Sequence, residues 1–166
     1  MSKITAQTQI RIRKLHDDAM IPVYATEGAA GFDLVAIEDV IISPGETVII
    51  PTGLAFEIPP GYEMQVRPRS GISLRTKLRI ANSPGTVDAD FRGEVGIIVE
   101  NTETGGEEFI SGYPFFSERG GISFSDGTYI IRRGDRIAQA VITPVVRASF
   151  EVVDELTETE RGAGAY

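Results

Sequence analysis

The chain has 166 residues, enough for one domain and too few for two of ordinary size. Its 24 Asp and Glu against 16 Lys and Arg give a formal charge of −8, which argues against a non-specific nucleic-acid binder, while 42% hydrophobic residues suffice for a buried core. With no cysteine and one histidine, His16, the chain excludes disulfides, thiolate nucleophiles, thiolate-ligated metals and multi-histidine metal sites.

A Ser-His-Asp hydrolase would have to rest on His16 alone. No stretch approaches the ~20 apolar residues of a membrane span, and MSKITAQTQIRIRKL has no apolar core of a signal peptide. The expectation is a cytoplasmic domain with neither nucleic acid nor membrane as partner. Its chemistry must use carboxylates, hydroxyls, arginines and the backbone.

In chain order, residues 9–13 alternate in polarity, as do parts of 47–58 and 62–67, and β-branched residues are dense at 92–100, 128–132 and 136–144. Each run is bounded by turn-forming Gly, Pro, Asn or Asp, which predicts many short strands and an all-β sandwich or barrel. Only 70–77 predicts a short helix, with Ser70 as its cap. His16, in Lys-Leu-His-Asp-Asp, reads as a surface or packing residue.

Charge is uneven along this pattern. Residues 66–93 carry a net +4, residues 94–128 a net −6, and the tail from Phe150 a net −4. A basic island in an acidic chain suits a polyphosphate, whose oxygens take Arg forks and backbone N–H groups; scattered solvated charge is the plain alternative.

Four segments carry groups able to do chemistry. Ala30-Gly31-Phe32-Asp33-Leu34 and Arg133-Gly134-Asp135-Arg136-Ile137-Ala138-Gln139 each set a turn glycine and a carboxylate among apolar residues, and singly each reads as structural. Pro68-Arg69-Ser70-Gly71-Ile72-Ser73 joins a guanidinium, hydroxyls and a permissive glycine, a set that can hold an anion or simply turn a corner. Residues 82–93 (NSPGTVDADFRG) predict a tight hairpin whose backbone edge can face a planar base, with Phe91 to stack on a sugar. Asp88 and Asp90 lie two apart, so if both sit on a strand they share a face. One of them can serve as a general base for water, or both can satisfy turn N–H groups.

In this order the segments resemble the trimeric dUTP pyrophosphatases (dUTPases). AGFDL is similar to their first motif, PRSGIS to the second, NSPGTVDADFRGEV to the third and RGDRIAQAVITP to the fourth, while the terminal RGAGAY resembles the start of the fifth. The resemblance covers the chain apart from about 102–127. It implies a jelly-roll-like, distorted β-barrel at 1–149, a C-terminal arm at 150–166, and a homotrimer with active sites at subunit interfaces. It also implies hydrolysis of dUTP to dUMP and pyrophosphate with Mg²⁺, which limits uracil in DNA and supplies dUMP for dTMP synthesis.

Carried over residue by residue, the resemblance makes Asp88 the base for the attacking water. Arg69, Ser70 and Gly71 become phosphate-holding residues, and Gln139 lies near phosphates and water. Asn82 and the main chain at Gly85, Thr86 and Val87 read uracil, Phe91 packs under deoxyribose, and Arg161 meets the phosphates from the arm. Asp33 supports the metal–triphosphate region through its neighbours, so no protein group is expected to ligate Mg²⁺ directly.

Three departures stand out. Phe91 replaces the family's usual Tyr, the fifth motif is short, with Tyr166 near the usual Phe position, and an acidic insertion with Glu103, Glu107, Glu108, Glu118 and Asp126 occupies about 102–127. Some phage members carry a segment there. The insertion reads as a lengthened surface hairpin, with a protein-binding element as the alternative. Two competing functions are the related dCTP deaminase, whose longer Arg- and Ser-rich second motif PRSGIS does not match, and a nucleotide-sensing module without turnover.

Overall fold

A computed structural model describes residues 7–104 and 127–165. In chain order the described elements are β1 (Arg11–Lys14), β2 (Phe32–Val35), β3 (Val40–Ile42), β4 (Thr47–Glu57), β5 (Tyr62–Arg67), α1 (Ser70–Arg75), β6 (Leu78–Ile80), β7 (Gly85–Val87), β8 (Glu94–Asn101), β9 (Tyr129–Ile131) and β10 (Arg136–Pro144). One antiparallel sheet has the order β1-β4-β8-β6, a second the order β2-β10-β5-β7, and β3 pairs with β9. This is the all-β, jelly-roll-like fold the sequence predicts.

Period-two patterning decides which faces meet. Along β8, Val95, Ile97 and Val99 turn inward while their neighbours stay partly exposed, and β5 buries Met64 and Val66 in the same way. Their inner faces join Leu34, Ile42, Ile50, Leu54, Ile58, Leu78 and Ile131 in one core. Each such side chain contributes roughly 1.5–3 kcal/mol on burial.

Strand β4 breaks the alternation. Its pairing with β8 shifts register between Pro51 and Ala55, and Thr52 to Phe56 are all buried. Gly53 sits at the shift with φ +68°, where a Cβ would lie 2.9 Å from the Ala19 Cβ, so only glycine fits both the backbone and the space. Its N–H donates to Glu94 Oε1 (2.7 Å) and its carbonyl accepts from Leu15 N–H (2.8 Å). The segment 15–19 is thereby tied to the sheet.

The buried polar groups are paired. Asn101 is fully buried; its Nδ2 donates to the carbonyls of Ile42 (3.0 Å) and Gly127 (2.8 Å), and its Oδ1 accepts from Glu103 N–H (3.0 Å). One amide thus fastens both ends of the insertion to the body. The surface-hairpin and partner readings of the insertion fall mostly on residues 105–126, outside the described residues.

Two local expectations need correction. The helix spans Ser70–Arg75 with Arg69 as its N-cap and no side-chain cap bond, so Ser70 is its first residue and not its cap. The strands flanking 82–93, β6 and β8, pair antiparallel as expected, but the turn between them is not tight, because it crosses to the other sheet, where β7 pairs with β5. There the chain crosses from sheet to sheet, through a cis Ser83–Pro84 bond. His16 is a surface residue whose Nδ1 accepts from Asp18 N–H (3.1 Å). No helix of the described residues is long and apolar enough to cross a membrane.

Asp135, buried at the turn before β10, accepts from Arg132 N–H (2.8 Å), yet burial pushes its carboxyl up to about 6, with the nearby Asp39 carboxylate adding to the rise. The folded state therefore binds this proton more tightly than the unfolded chain, whose ordinary value is 3.8. The group's contribution favours folding fully below about pH 4 and is lost as pH rises through about 6. In thermal melts, the stability of the native chain relative to Asp135→Asn is expected to fall between pH 4 and 6 and to level off above. A difference independent of pH would refute the assignment.

Candidate active site

Strand β10 runs between β2 and β5, in register so that Gln139 lies opposite Asp33 on one side and Arg67 on the other. Just beyond β5 the chain turns through Pro68 and Arg69 into α1. Gln139 Nε2 donates to the Pro68 carbonyl (2.9 Å), which pins this corner. Arg69 reaches back across the sheet, its Nε 3.0 Å from Asp33 Oδ1 and its Nη1 donating to the Arg136 carbonyl (3.0 Å). Arg136 Nη1 lies 3.5 Å from the other Asp33 oxygen.

One half-buried carboxylate thus orients two guanidiniums, and the Arg69 contacts use only Nε and Nη1 of its five donors. Such a fork, next to Ser70 and Gly71 at the start of α1, suits phosphate oxygens. Arg136 was not among the residues singled out from the sequence. It lies three positions before Gln139 in the same motif, but its ion pair spans two strands and has no signature along the chain.

A second group forms at the crossing. Asn82, Gly85, Thr86, Val87, Asp88 and Phe91 line a cavity of about 200 Å³ closed on its far side by the start of β8. Asp88 follows β7 and is exposed, and its carbonyl accepts from Phe91 N–H (3.2 Å) to close a turn. Asp90 lies within that turn, so the two aspartates are not on one strand and the condition for a shared face is not met. Arg92 wraps the turn, its Nη1 donating to the carbonyls of Ala89 (2.6 Å) and Phe91 (3.1 Å). The Phe91 ring lies against Gly93, where a Cβ would be 2.7 Å from the ring edge.

The third group is the arm. From Val145 onward the described chain has no helix or strand, and Val146, Phe150, Val152 and Leu156 are 85–99% exposed. Arg161 is exposed, and its Nε donates to Gly164 O (2.8 Å) within the arm. Of the predicted residues, Asp33, Arg69 and Gln139 come together, with Ser70 and Gly71 beside them. Asn82, Gly85, Thr86, Val87, Asp88 and Phe91 come together elsewhere. No residue of the first group, nor Arg161, lines the Asp88–Phe91 cavity.

Two packed antiparallel sheets with these motif positions on their strands and at the turns between them define the all-β, jelly-roll-like class. The family model for dUTPase matches residues 17–106. A deoxyuridine 5'-triphosphate nucleotidohydrolase of Nautilia profundicola is 46% identical over 158 residues, covering 95% of this chain and 96% of that protein. Among solved structures, the dUTPase of Staphylococcus bacteriophage 80alpha with dUpNHpp superposes with a TM-score of 0.82 at 28% identity, covering 96% of this chain and 97% of that one. A mutant dUTPase of phage phi11 of S. aureus, described with a structural Mg(II) ion, gives a TM-score of 0.74 at 30% identity, covering 89% and 98%. The chain belongs to the dUTPase family.

Gly93→Ala is expected to push the Phe91 ring off the backbone. Losing an aromatic packing surface of this size weakens dUMP binding roughly tenfold. The outcome is read by calorimetric titration, with the melting temperature nearly unchanged. Unaltered dUMP affinity would show that the ring is not part of the nucleoside pocket.

Proposed function

We propose that the chain hydrolyses dUTP to dUMP and pyrophosphate, with the three groups of residues meeting only when copies of the chain assemble. The observation that carries this reading is their separation. The Asp88–Phe91 cavity is suited to a nucleoside, whereas the Asp33–Arg69–Arg136 cluster is suited to phosphates, and one chain does not bring them into a single pocket.

The family is oligomeric, and a homotrimer fits the remaining surfaces. A groove of about 890 Å³ lined by Ile10, Ile12, Tyr24, Phe32, Phe56 and Ile142 lies open beside β1. The bare apolar residues of the arm supply a segment of matching character from a neighbouring copy. Burial of both surfaces is the driving force for such an exchange. It would leave Arg161 on a site other than its own.

In this reading the main chain at Gly85–Val87, with Asn82, pairs with the uracil edge, and Phe91 occupies the space a ribose 2′-hydroxyl would need. Asp88 accepts a proton from a water as its oxygen bonds the α-phosphorus; the bond to the bridging oxygen breaks, and pyrophosphate leaves with the electron pair. Arg69, Ser70 and Gly71 hold the phosphates, Asp33 aims Arg69 and Arg136 at them, and Gln139 fixes the corner between. Positioning and charge neutralisation supply most of the acceleration in phosphoryl transfer.

The donor set suits Mg²⁺ carried by the phosphates. Both Asp33 oxygens face guanidiniums, so this carboxylate acts on the metal region through the arginines and the phosphates they hold. When bound, Mg²⁺ neutralises charge on the phosphate oxygens and keeps much of its water.

With Mg²⁺ present, pyrophosphate is expected from dUTP and little from UTP, dTTP or dCTP; ammonia from dCTP would point to the deaminase instead. Asp88→Asn should retain dUTP binding and lose roughly 10²–10⁴ in turnover, the scale of a general base. Near-normal turnover would reject Asp88 in that role. No pyrophosphate from any nucleotide would favour a sensing module.

Deleting residues 161–166 should lower pyrophosphate release roughly 10- to 100-fold, the worth of one charge-assisted contact, while the trimer persists in sedimentation. Loss of the trimer would make the segment an assembly element. Unchanged release would remove the arm from the site.

A further inference from the structure

Helix α1 has no buried residue of its own, and only Ile72 packs partly against the core, above a small cavity also bordered by Leu78, Ile80 and Ile131. Packing alone therefore holds it weakly, although it follows Arg69 and carries Ser70 and Gly71. Its N-terminal end is fixed by Arg69 through Asp33 and the Arg136 carbonyl. Its C-terminal end is fixed by a different set of bonds. Thr76, buried, donates from both N and Oγ1 to the Ile72 carbonyl (3.0 and 2.7 Å). Lys77 N–H donates to the Tyr129 hydroxyl (3.1 Å), which in turn donates to Glu103 Oε1 (3.0 Å). Thr102 closes the circle, with N and Oγ1 donating to the Lys77 carbonyl (2.9 and 2.7 Å).

Thr102 and Glu103 are where the insertion leaves the body, and Tyr129 follows where it returns. Asn101 ties those two strands together from below. Half-burial and the neighbouring Glu103 carboxylate raise the Tyr129 hydroxyl above its ordinary value, so it stays protonated as a donor to Glu103 at neutral pH.

We propose that Tyr129 is a positioning residue for the phosphate site: with Glu103 and Thr102 it clamps the exit of α1 and sets where Ser70 and Gly71 present themselves to the phosphates. This inference rests on the reading of Arg69, Ser70 and Gly71 as phosphate-holding. It makes the base of the insertion part of the catalytic frame.

The test is Tyr129→Phe in the full chain, which removes one oxygen and keeps the ring. Losing a hydrogen bond of this kind is expected to raise KM for dUTP and weaken dUpNHpp binding roughly three- to tenfold. Deoxyuridine, which lacks phosphates, should bind within twofold of the native chain in competition. Glu103→Gln keeps an acceptor for the hydroxyl and should behave as the native chain, whereas Glu103→Ala should copy Tyr129→Phe.

A selective loss for dUpNHpp supports the clamp. Equal weakening of deoxyuridine and dUpNHpp, or no change in either, overturns it, and so does a Glu103→Ala variant that behaves as native. Should Tyr129→Phe fail to fold, the two Glu103 variants decide alone. If the native chain itself releases no pyrophosphate from dUTP, the functional reading fails, and binding of inorganic pyrophosphate by the native and Tyr129→Phe chains still tests the clamp.

Discussion

The register of β10 between β2 and β5 is the constraint on which the site depends. Because Gln139 pairs with Asp33 on one side and Arg67 on the other, the end of β5 and the corner after it are held beside the carboxylate of β2. A slip of one residue would turn Gln139 and Asp33 into the core and bring buried apolar residues out. The same alternation that buries Ala138 and Ala140 therefore also places Gln139 on the outer face, while the register shift between Arg136 and Ala138 buries Ile137 as well. Core and polar cluster are two sides of one strand.

The Asp88–Phe91 cavity depends on a different constraint, the crossing of the chain between the two sheets. A tight hairpin would have turned the backbone edges of residues 82–93 toward each other and satisfied them. By sending β6 to one sheet and β7 to the other, the fold opens a space between β7 and β8 where Asn82, Asp88 and Phe91 converge. The Asp88–Phe91 turn is held by Arg92, and Gly93 supplies the room for the ring. Preorganised groups of this kind lower the ordering needed when a ligand binds.

The exposed arm and the open groove beside β1 are the surfaces that the proposed assembly would cover. Phe150, Val152 and Leu156 stand almost fully in solvent. Insertion and arm differ in how they are joined to the body. The insertion leaves from a base stitched by Asn101, Thr102, Glu103 and Tyr129, whereas the arm departs after a single bond from Val145 N–H to Gly61 O (2.8 Å).

The all-β class, the strands at 62–67 and 136–144, the family and the residue types of the candidate site are legible along the chain, because strand period, turn residues and ordered motifs are all local to it. The sequence did not show the short β3, too brief for alternation to register, nor the arrest of alternation in β4, which follows from a bulge at Gly53. The cap of α1 was misassigned because the Arg69 carbonyl, rather than any side chain, begins the helix. Tertiary structure alone decided that residues 82–93 bridge two sheets, that Arg136 joins Arg69 on Asp33, and that Tyr129 braces the exit of α1. All three depend on residues far apart in the chain, fixed by sheet order and register, and none leaves a mark on local periodicity.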